Sequence, residues 1–424
     1  MKQKYSAGFL TGLLLAALPS VAAQAEISEL LRGLPSKYCS AEDGRRPVVK
    51  SQGGYGTCWA LAATSALEAS LLPKTHVIFS ADHMALNNAF SVTLNDGGDY
   101  RMAMAYLAGW QGPVQEEADA YGDAYSPAGL LPVVHVQEMR LYEDVPREKL
   151  KKAIQTYGAV QTSLYMSRAT TAEDQPYYNA YFSAYEYPTA EDPSHDVILV
   201  GWDDTVSRFL FRDVPEEDGA WVCQNSWGGS FGDDGLFYVS YADATIAGQA
   251  IAYTRIESTD NYDRIYQTDP CGWQGSLGYG KEMCWFANRY EAEEAELLAA
   301  VGFYATGTDT TYEIYFQPDG SNGREERTLL QAGSVQEAGY YTVDLEKAIA
   351  LSKGEAFYVM VKIRTPRSRF PVAAEYHSDA HTATVTTDGK YGYLSSDGES
   401  WIHTEKTFGA NICLKAYTST AYKN

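Results

Sequence analysis

Residues 52–60 read QGGYGTCWA, and this stretch decides how the rest of the chain is interpreted. Its glycines predict a tight turn. Residues 58–72 are mostly Ala, Leu, Ser, Thr and Glu, which predicts a helix with Thr57 as its cap. Cys58 would then lie at a helix N-terminus, where amide dipoles favour a thiolate, and Gln52 would reach back as an oxyanion donor. On this stretch alone, a small buried Cys at a helix start explains the pattern equally well.

Two downstream motifs supply partners for a nucleophilic thiol. His195 lies near the start of SHDVILVGW, an apolar run that predicts a strand, and Asn225 opens NSWGGSFG after a second strand-like run. A nucleophilic Cys needs a base, and the base needs a group that orients it. Together, the three motifs resemble those of the papain-like cysteine peptidases, whose His and Asn lie far downstream of the Cys.

The resemblance implies an α+β fold with a helical lobe and an antiparallel β-barrel lobe. It implies hydrolysis of peptide bonds through a Cys58 thioester, with His195 as acid and base and Asn225 orienting the imidazole. Gln52 and the backbone N–H of Cys58 would stabilise the oxyanion. No cofactor and no metal is expected. Protein or peptide substrates are the expected partners, and a transferase that passes the acyl group to an amine would use the same residues.

Three further residues receive roles from the resemblance. Trp227 would shield the His–Asn hydrogen bond, and Gly97 and Gly98 would form an edge that binds the substrate backbone. Read from the residues alone, the Gly-Gly pair also fits a plain turn or a calcium loop, although the terminal Glu of an EF-hand loop is missing. The chain departs from the family pattern at Asp196, where a small apolar residue is usual, and at Tyr55, where many relatives have a stapling Cys.

Residues 1–25 are predicted to be a secretory signal peptide with cleavage after Ala25. Lys2 and Lys4 precede an apolar core of about a dozen residues, and residues 23–25 read A-Q-A. An uncleaved anchoring helix is the alternative. No later stretch is apolar enough to cross a membrane, so a secreted or cell-surface protein is expected. The formal net charge of −22 disfavours nucleic acid as a partner.

Beyond about residue 256, the sequence consists mainly of short strand-like runs with few helix signals. We expect a peptidase domain over 26–257, a Gly/Tyr/Trp-rich connector over 258–285 and a β-sandwich over 286–424. This last region resembles the lectin-like domain found behind bacterial secreted papain-like peptidases, which implies a glycan or cell-surface ligand without establishing sugar binding. The rival function is a binding protein in which the peptidase half is accessory. A monomer is expected.

The chain has six cysteines, and one would be the nucleophile. An exported protein can pair others as disulfides. Cys271 and Cys284 are the best candidate pair because they are close in sequence, with four glycines between them that make closure sterically easy.

Overall fold

The computed structural model describes residues 33–167, 176–320 and 327–420. The predicted signal peptide, residues 1–25, lies outside the described residues. In the N-terminal part the helices are α1 (Cys58–Leu71), α2 (Ala81–Leu86), α3 (Tyr100–Ala108) and α4 (Arg147–Tyr157). The strands are β1 (Lys37–Cys39), β2 (His135–Glu143), β3 (Val160–Leu164), β4 (Tyr178–Asn179), β5 (Ala184–Tyr185), β6 (His195–Asp203), β7 (Ala220–Gln224), β8 (Leu236–Ser240) and β9 (Gln249–Glu257).

Helix α1 is the central element of the helical lobe. Every residue from Trp59 to Ala69 is buried, and the many alanines let neighbouring elements approach closely. Its one buried acid, Glu68, forms an ion pair with Lys50 at 2.6 Å, which also donates to Thr64 Oγ1 at 3.0 Å. The helix is therefore buried along most of its length, and Lys50 ties its second half to the preceding strand-like segment.

The β lobe is built on an antiparallel sheet. Strands β2, β9, β3, β6, β7 and β8 are neighbours in that order, and every residue of β6 is buried. In this order β6 lies between β3 and β7. Residues at the start of β6 and just after the end of β7 are therefore close in space, because the two strands are antiparallel.

The C-terminal part consists mainly of two packed sheets. Its strands are β10 (Arg264–Tyr266), β11 (Gly275–Leu277), β12 (Met283–Glu291), β13 (Glu296–Ala305), β14 (Thr310–Pro318), β15 (Thr328–Val335), β16 (Ala338–Leu351), β17 (Ala356–Arg364), β18 (Val372–Tyr376), β19 (Gly392–Ser395), β20 (Ile402–His403), β21 (Ala410–Ile412) and β22 (Leu414–Thr420), with one short helix, α5 (Thr404–Phe408). One sheet has the order β15-β14-β17-β12-β19-β20, and the other contains β10, β22, β13 and β16. Apolar side chains between the sheets form a separate core.

The segment predicted as a connector is part of this sandwich. Strand β10 pairs with β22, and β11 pairs with β18. The two parts of the molecule also share a sheet, because β16 pairs with β2. At this junction a Cβ on Gly339 would lie 2.0 Å from the Met139 carbonyl oxygen, so only glycine allows the strands to meet. Across the described residues, no helix is long and apolar enough to span a membrane.

Candidate active site

Cys58 is the first residue of α1 and lies on the cleft between the lobes. Burial raises the pKa of its thiol to about 12. The Asp196 carboxylate adds to the rise, whereas backbone N–H groups, including those of Cys58 and Trp59, oppose it. Thr57 is the N-cap residue, as predicted, but it makes no side-chain hydrogen bond to the helix, because its hydroxyl bonds to the Tyr121 hydroxyl at 2.5 Å.

His195 and Asn225 are brought together by the neighbouring strands β6 and β7. Nε2 of His195 lies 2.8 Å from Oδ1 of Asn225. Because a carboxamide oxygen only accepts, Nε2 carries the proton and donates it, which leaves Nδ1 as the basic nitrogen. Burial lowers the pKa of His195 to about 4, and the hydrogen bond to Asn225 opposes that shift. Burial therefore disfavours a lone imidazolium and a lone thiolate, and a neutral pair of opposite charges avoids much of that penalty.

Trp227 and Gln52 form one hydrogen-bonded unit beside this pair. The Trp227 ring lies 5.1 Å from the His195 ring, and its Nε1 donates to Oε1 of Gln52 at 3.1 Å. The same oxygen accepts from Ser226 Oγ at 2.8 Å. Nε2 of Gln52 donates one hydrogen to the Tyr55 carbonyl at 2.8 Å. A carboxamide nitrogen carries two hydrogens, so a second donor remains for a ligand.

The cleft has a volume of about 1400 Å³, and its lining brings most of the predicted site residues together. These are Gln52, Cys58, Gly97, Gly98, His195 and Trp227. Asn225 is 2% exposed and lies behind His195. A Cβ on Gly98 would lie 2.5 Å from the Trp59 ring, and Gly97 has a φ of +80°. These positions require glycine, and the rim of the cleft there has no side chains.

Tyr121 is a site residue that the sequence motifs did not reveal. Its hydroxyl donates to the Gln52 carbonyl at 2.9 Å and also contacts Oγ1 of Thr57. It therefore bridges the two ends of the segment 52–57, which we call the catalytic loop. Its ring packs edge-on to Tyr55, the position where many relatives have the stapling Cys, at 6.4 Å. Tyr121 belongs to no motif and is distant in sequence, so no local pattern pointed to it.

Asp196 points into a hydrogen-bonded network and does not face solvent. Its carboxylate accepts from Ser163 Oγ at 2.7 Å and from Gln161 Nε2 at 2.8 Å, and Gln161 Oε1 accepts from the Tyr253 hydroxyl at 2.8 Å. Burial raises the pKa of Asp196 to about 6, while these donors oppose the rise. The sequence identified the unusual position but did not indicate which partners the side chain would have.

The disulfide predicted between Cys271 and Cys284 is absent, and all six cysteines are free. The two thiols belong to different apolar cores. Cys271 Sγ contacts the Ala89 carbonyl at 3.4 Å, whereas Cys284 Sγ lies 3.5 Å from the Ser395 carbonyl. The intervening glycines permit closure, but Cys284 lies within β12, which pairs with β17 and β19, whereas Cys271 precedes β11, which pairs with β18.

Comparison with known families agrees with this architecture. Residues 35–254 match the family described as papain family cysteine protease, and residues 265–418 match the lectin-like domain. The chain therefore belongs to the papain family of cysteine proteases and carries a lectin-like domain. Two curated relatives are a cathepsin L-like peptidase of Aedes aegypti, 28% identical over 217 residues, and procathepsin L of Rattus norvegicus, 26% identical over 221 residues. The matches cover 49% and 50% of this chain but only 59% and 62% of those relatives.

Two solved structures share the fold of both domains. The clostridial cysteine protease Cwp84 after propeptide cleavage aligns with a TM-score of 0.80 and 24% identity, covering 91% of this chain and 100% of that chain. The cysteine protease and lectin-like domains of Cwp84, described as a surface layer associated protein of Clostridium difficile, align with a TM-score of 0.77 and 23% identity, covering 91% and 89%. The combination of a papain-like fold with an all-β lectin-like domain is thus an architecture already seen in a bacterial cysteine protease.

Proposed function

We propose that this protein is a peptidase that hydrolyses peptide bonds through a thioester on Cys58. The observation that carries the proposal is the His195–Asn225 hydrogen bond at 2.8 Å, made at the edge of an open cleft that Cys58 also lines. Cys58 supplies the nucleophile, and His195 can take its proton at Nδ1. The pair stays neutral overall, which lets both groups ionise in a buried site.

The reaction has two halves. The Cys58 thiolate attacks the substrate carbonyl carbon, and the oxyanion is stabilised by the Cys58 backbone N–H and the second hydrogen on Nε2 of Gln52. The C–N bond then breaks as His195 gives its proton to the leaving amine. Water, deprotonated by His195, attacks the thioester, releases the carboxylic acid and restores the thiol. Gly97 and Gly98 leave the substrate backbone free to approach the rim, and Trp227 covers the His–Asn hydrogen bond.

Trapping the acyl-enzyme tests this mechanism. The wild-type protein is mixed with an activated ester substrate, quenched in acid and measured by intact mass, with Cys58→Ala as the matched control. We expect a mass increase equal to the acyl group on the peptide containing Cys58, and no increase in the control. Hydrolysis that persists in Cys58→Ala would reject the thioester. Added amines that appear in the product would indicate acyl transfer in place of hydrolysis.

We further propose that the protein is secreted or held at the cell surface, where the sandwich binds a glycan or protein partner. A relative of the same architecture, Cwp84, is described as surface layer associated. The sandwich has a pocket of about 410 Å³ lined by the aromatic side chains of Tyr358, Tyr393 and Trp401 and by the carboxylates of Asp319 and Glu399. Aromatic faces and carboxylates together suit the apolar faces and hydroxyls of sugars.

Binding of the full chain to immobilised glycans and cell envelopes tests this second role. The Cys58→Ala protein prevents degradation of protein partners, and Trp401→Ala on that background removes one face of the pocket. We expect retention that Trp401→Ala abolishes. Equal retention of both proteins, or none by either, would contradict a binding role for this pocket.

A further inference from the structure

We propose that the sandwich holds one wall of the catalytic cleft in position, and that Thr384 and Trp273 are the positioning residues through which it does so. The wall is formed by residues 95–99, which we call the rim, and all of them line the cleft. The inference rests on the proposed peptidase function and goes beyond it, because it gives the sandwich a part in binding the peptide substrate. Two sets of contacts carry it, one on each side of the rim.

The rim belongs to a connection that has no regular hydrogen-bond ladder. Residues 87–99 join α2 to α3, and all of them lie in the described part of the chain, where they form neither helix nor strand. Phe90 and Leu94 pack into the core, and the Leu94 carbonyl accepts from the Gly56 N–H at 2.8 Å. A backbone segment of this kind takes its position from contacts with the rest of the fold. The contacts at its two ends therefore decide where the rim lies.

On the N-terminal side of the rim, a loop of the sandwich bonds to the backbone of this connection. The Thr384 hydroxyl donates to the Ala89 carbonyl at 2.5 Å, and the Ser91 N–H donates to the His381 carbonyl at 2.8 Å. Cys271 Sγ, from another segment of the sandwich, contacts the same Ala89 carbonyl at 3.4 Å. The sandwich therefore holds two backbone groups of the connection just before the rim.

The sandwich loop that makes these contacts is organised by its own side chains. Ala380–Thr382 is a 3₁₀ turn capped by Asp379, whose carboxylate accepts from the His381 and Thr382 N–H groups at 2.9 and 3.3 Å. The Thr382 hydroxyl, on a buried side chain, accepts from the Asp379 N–H at 3.1 Å. A reciprocal cap of this kind fixes the start of a turn. The His381 carbonyl is therefore held in place before it meets the connection.

On the C-terminal side of the rim, the sandwich covers the first turn of α3. The centre of a Trp273 ring lies 5.9 Å from the guanidinium carbon of Arg101, within the range of cation–π attraction. The Arg101 backbone N–H donates to the Asp99 carboxylate at 2.8 Å. The last residue of the rim is thus bonded to the residue that Trp273 covers. Trp273 also packs against the apolar core that contains α1.

A peptide whose backbone follows Gly97 and Gly98 meets a surface made of backbone alone. Glycine offers no side chain that could adjust to the ligand, so the position of the rim decides whether its hydrogen bonds to the peptide form with good geometry. The reacting groups Cys58 and His195 are carried by α1 and β6 and not by the rim. Releasing the rim should therefore weaken peptide binding and leave the chemistry at Cys58 unchanged.

Two substitutions release the rim from opposite sides. Thr384→Val keeps the shape of the side chain and removes its hydroxyl, and Trp273→Leu removes the ring that covers Arg101. We expect each to raise KM for a fluorogenic peptide that spans the cleft by about 3- to 10-fold, with kcat within about twofold of the wild type. A small activated ester has no peptide backbone to place on the rim. It should be hydrolysed with the same kcat/KM by the wild type and by both variants.

The matched control is Thr387→Val, which makes the same chemical change at an exposed threonine of the same sandwich segment and should leave KM unchanged. If Trp273→Leu does not fold, Thr384→Val decides the question alone, because Thr384 is exposed and its hydroxyl can be removed without opening the core. An unchanged KM in the folded variants would overturn the inference. So would equal losses for the peptide and the ester, since a general loss of folded structure produces that result.

Failure of this inference can be told apart from failure of the proposed function. Binding of the same labelled peptide to the Cys58→Ala protein is measured by fluorescence anisotropy, with and without Thr384→Val. Weaker binding in the Thr384→Val protein, together with no hydrolysis by the wild type, would reject the peptidase and retain the positioning role. Hydrolysis by the wild type, with equal binding and equal KM in the variants, would retain the peptidase and reject the positioning role.

Discussion

Oδ1 of Asn225 lies 2.8 Å from Nε2 of His195, and the same oxygen also accepts the Ser226 backbone N–H at 2.8 Å. The Asn225 carboxamide is thus held by its own backbone neighbour, and it in turn holds the imidazole. His195 begins β6 and Asn225 directly follows β7, so their contact depends on the β6–β7 register. This arrangement fixes the tautomer of His195, which determines the nitrogen that faces the substrate.

Asn225→Ala should lower kcat/KM for peptide hydrolysis by about 10- to 100-fold, because the imidazole loses the acceptor that orients it. Initial rates with a fluorogenic peptide measure the effect. Far-ultraviolet circular dichroism should be unchanged, since the side chain lies behind the cleft and not in the core of the sheet. Full activity in this variant would show that the hydrogen bond does not orient His195 for catalysis.

Gln52→Ala should lower kcat by about 100- to 1000-fold, because one oxyanion donor is lost. Alkylation of Cys58 by iodoacetamide provides the control, since that reaction forms no oxyanion on an acyl carbon. We expect the alkylation rate to change little. If both rates fall together, Gln52 supports the loop rather than the transition state.

Tyr121→Phe removes the hydroxyl that joins the Gln52 carbonyl to Thr57 Oγ1. We expect a loss of about 1 kcal/mol in the free energy of unfolding and a reduced kcat, because the catalytic loop has no covalent staple. Tyr125→Phe is the matched control, since Tyr125 is 65% exposed. Equal thermal midpoints and equal kcat for the two variants would reject the role of Tyr121 as a brace.

Asp196→Asn should shift the pKa of the Cys58 thiol downward. An ionised Asp196 disfavours a second negative charge nearby, so it raises the thiol pKa, and a neutral amide of similar size does not. The rate of alkylation by iodoacetamide as a function of pH reports the thiolate fraction. We expect the midpoint of that curve to move to lower pH than in the wild type. An unchanged midpoint, or one moved to higher pH, would contradict the proposed electrostatic effect of Asp196 on Cys58.

Glu375 should make the protein less stable as the pH rises from about 4.5 to about 7. Burial, reinforced by Asp269, raises the pKa of this carboxyl from 4.5 to about 7, so in that window the folded state holds a proton that the unfolded chain has lost. The stabilisation from this bound proton is complete below the pKa that Glu375 has in the unfolded chain. It disappears as the pH rises past the pKa that Glu375 has in the folded protein. The shift corresponds to a loss on the order of 3 kcal/mol.

Denaturant unfolding of the wild type and of Glu375→Gln at pH 5 and pH 8 measures this linkage. Gln has nearly the volume of Glu and keeps a carbonyl oxygen as acceptor, but it carries no charge. The variant should therefore lose less stability between pH 5 and pH 8 than the wild type loses. The same pH dependence in both proteins would assign the loss to other groups.

The candidate catalytic residues could be proposed from the sequence because short motifs carry their chemistry. A thiol at a helix N-terminus, a strand-initiating His and an Asn followed by Ser and Trp each leave a local pattern around Cys58, His195 and Asn225. The lectin-like β region could also be predicted, because short strand-like runs with few helix signals recur along it.

Contacts between distant segments were not predictable. Tyr121 is brought to residues 52–57 by the fold, and its hydroxyl bonds to that of Thr57, so Thr57 holds the predicted cap position without a side-chain bond to the helix. The sheet shared by the two domains depends on Gly339 fitting against Met139, a close approach that has no sequence signal of its own. The Cys271–Cys284 pairing was wrong because proximity in sequence says nothing about strand partners.

The most direct test is labelling of the purified protein with an epoxide inhibitor of papain-like enzymes, read by intact mass and peptide mapping. Cys58→Ala is the control, and five other cysteines in the same chain serve as internal controls. We predict one adduct, located on Cys58, absent from the control and accompanied by loss of peptide cleavage. No adduct on the reduced, folded protein, or an adduct on another cysteine, would contradict it.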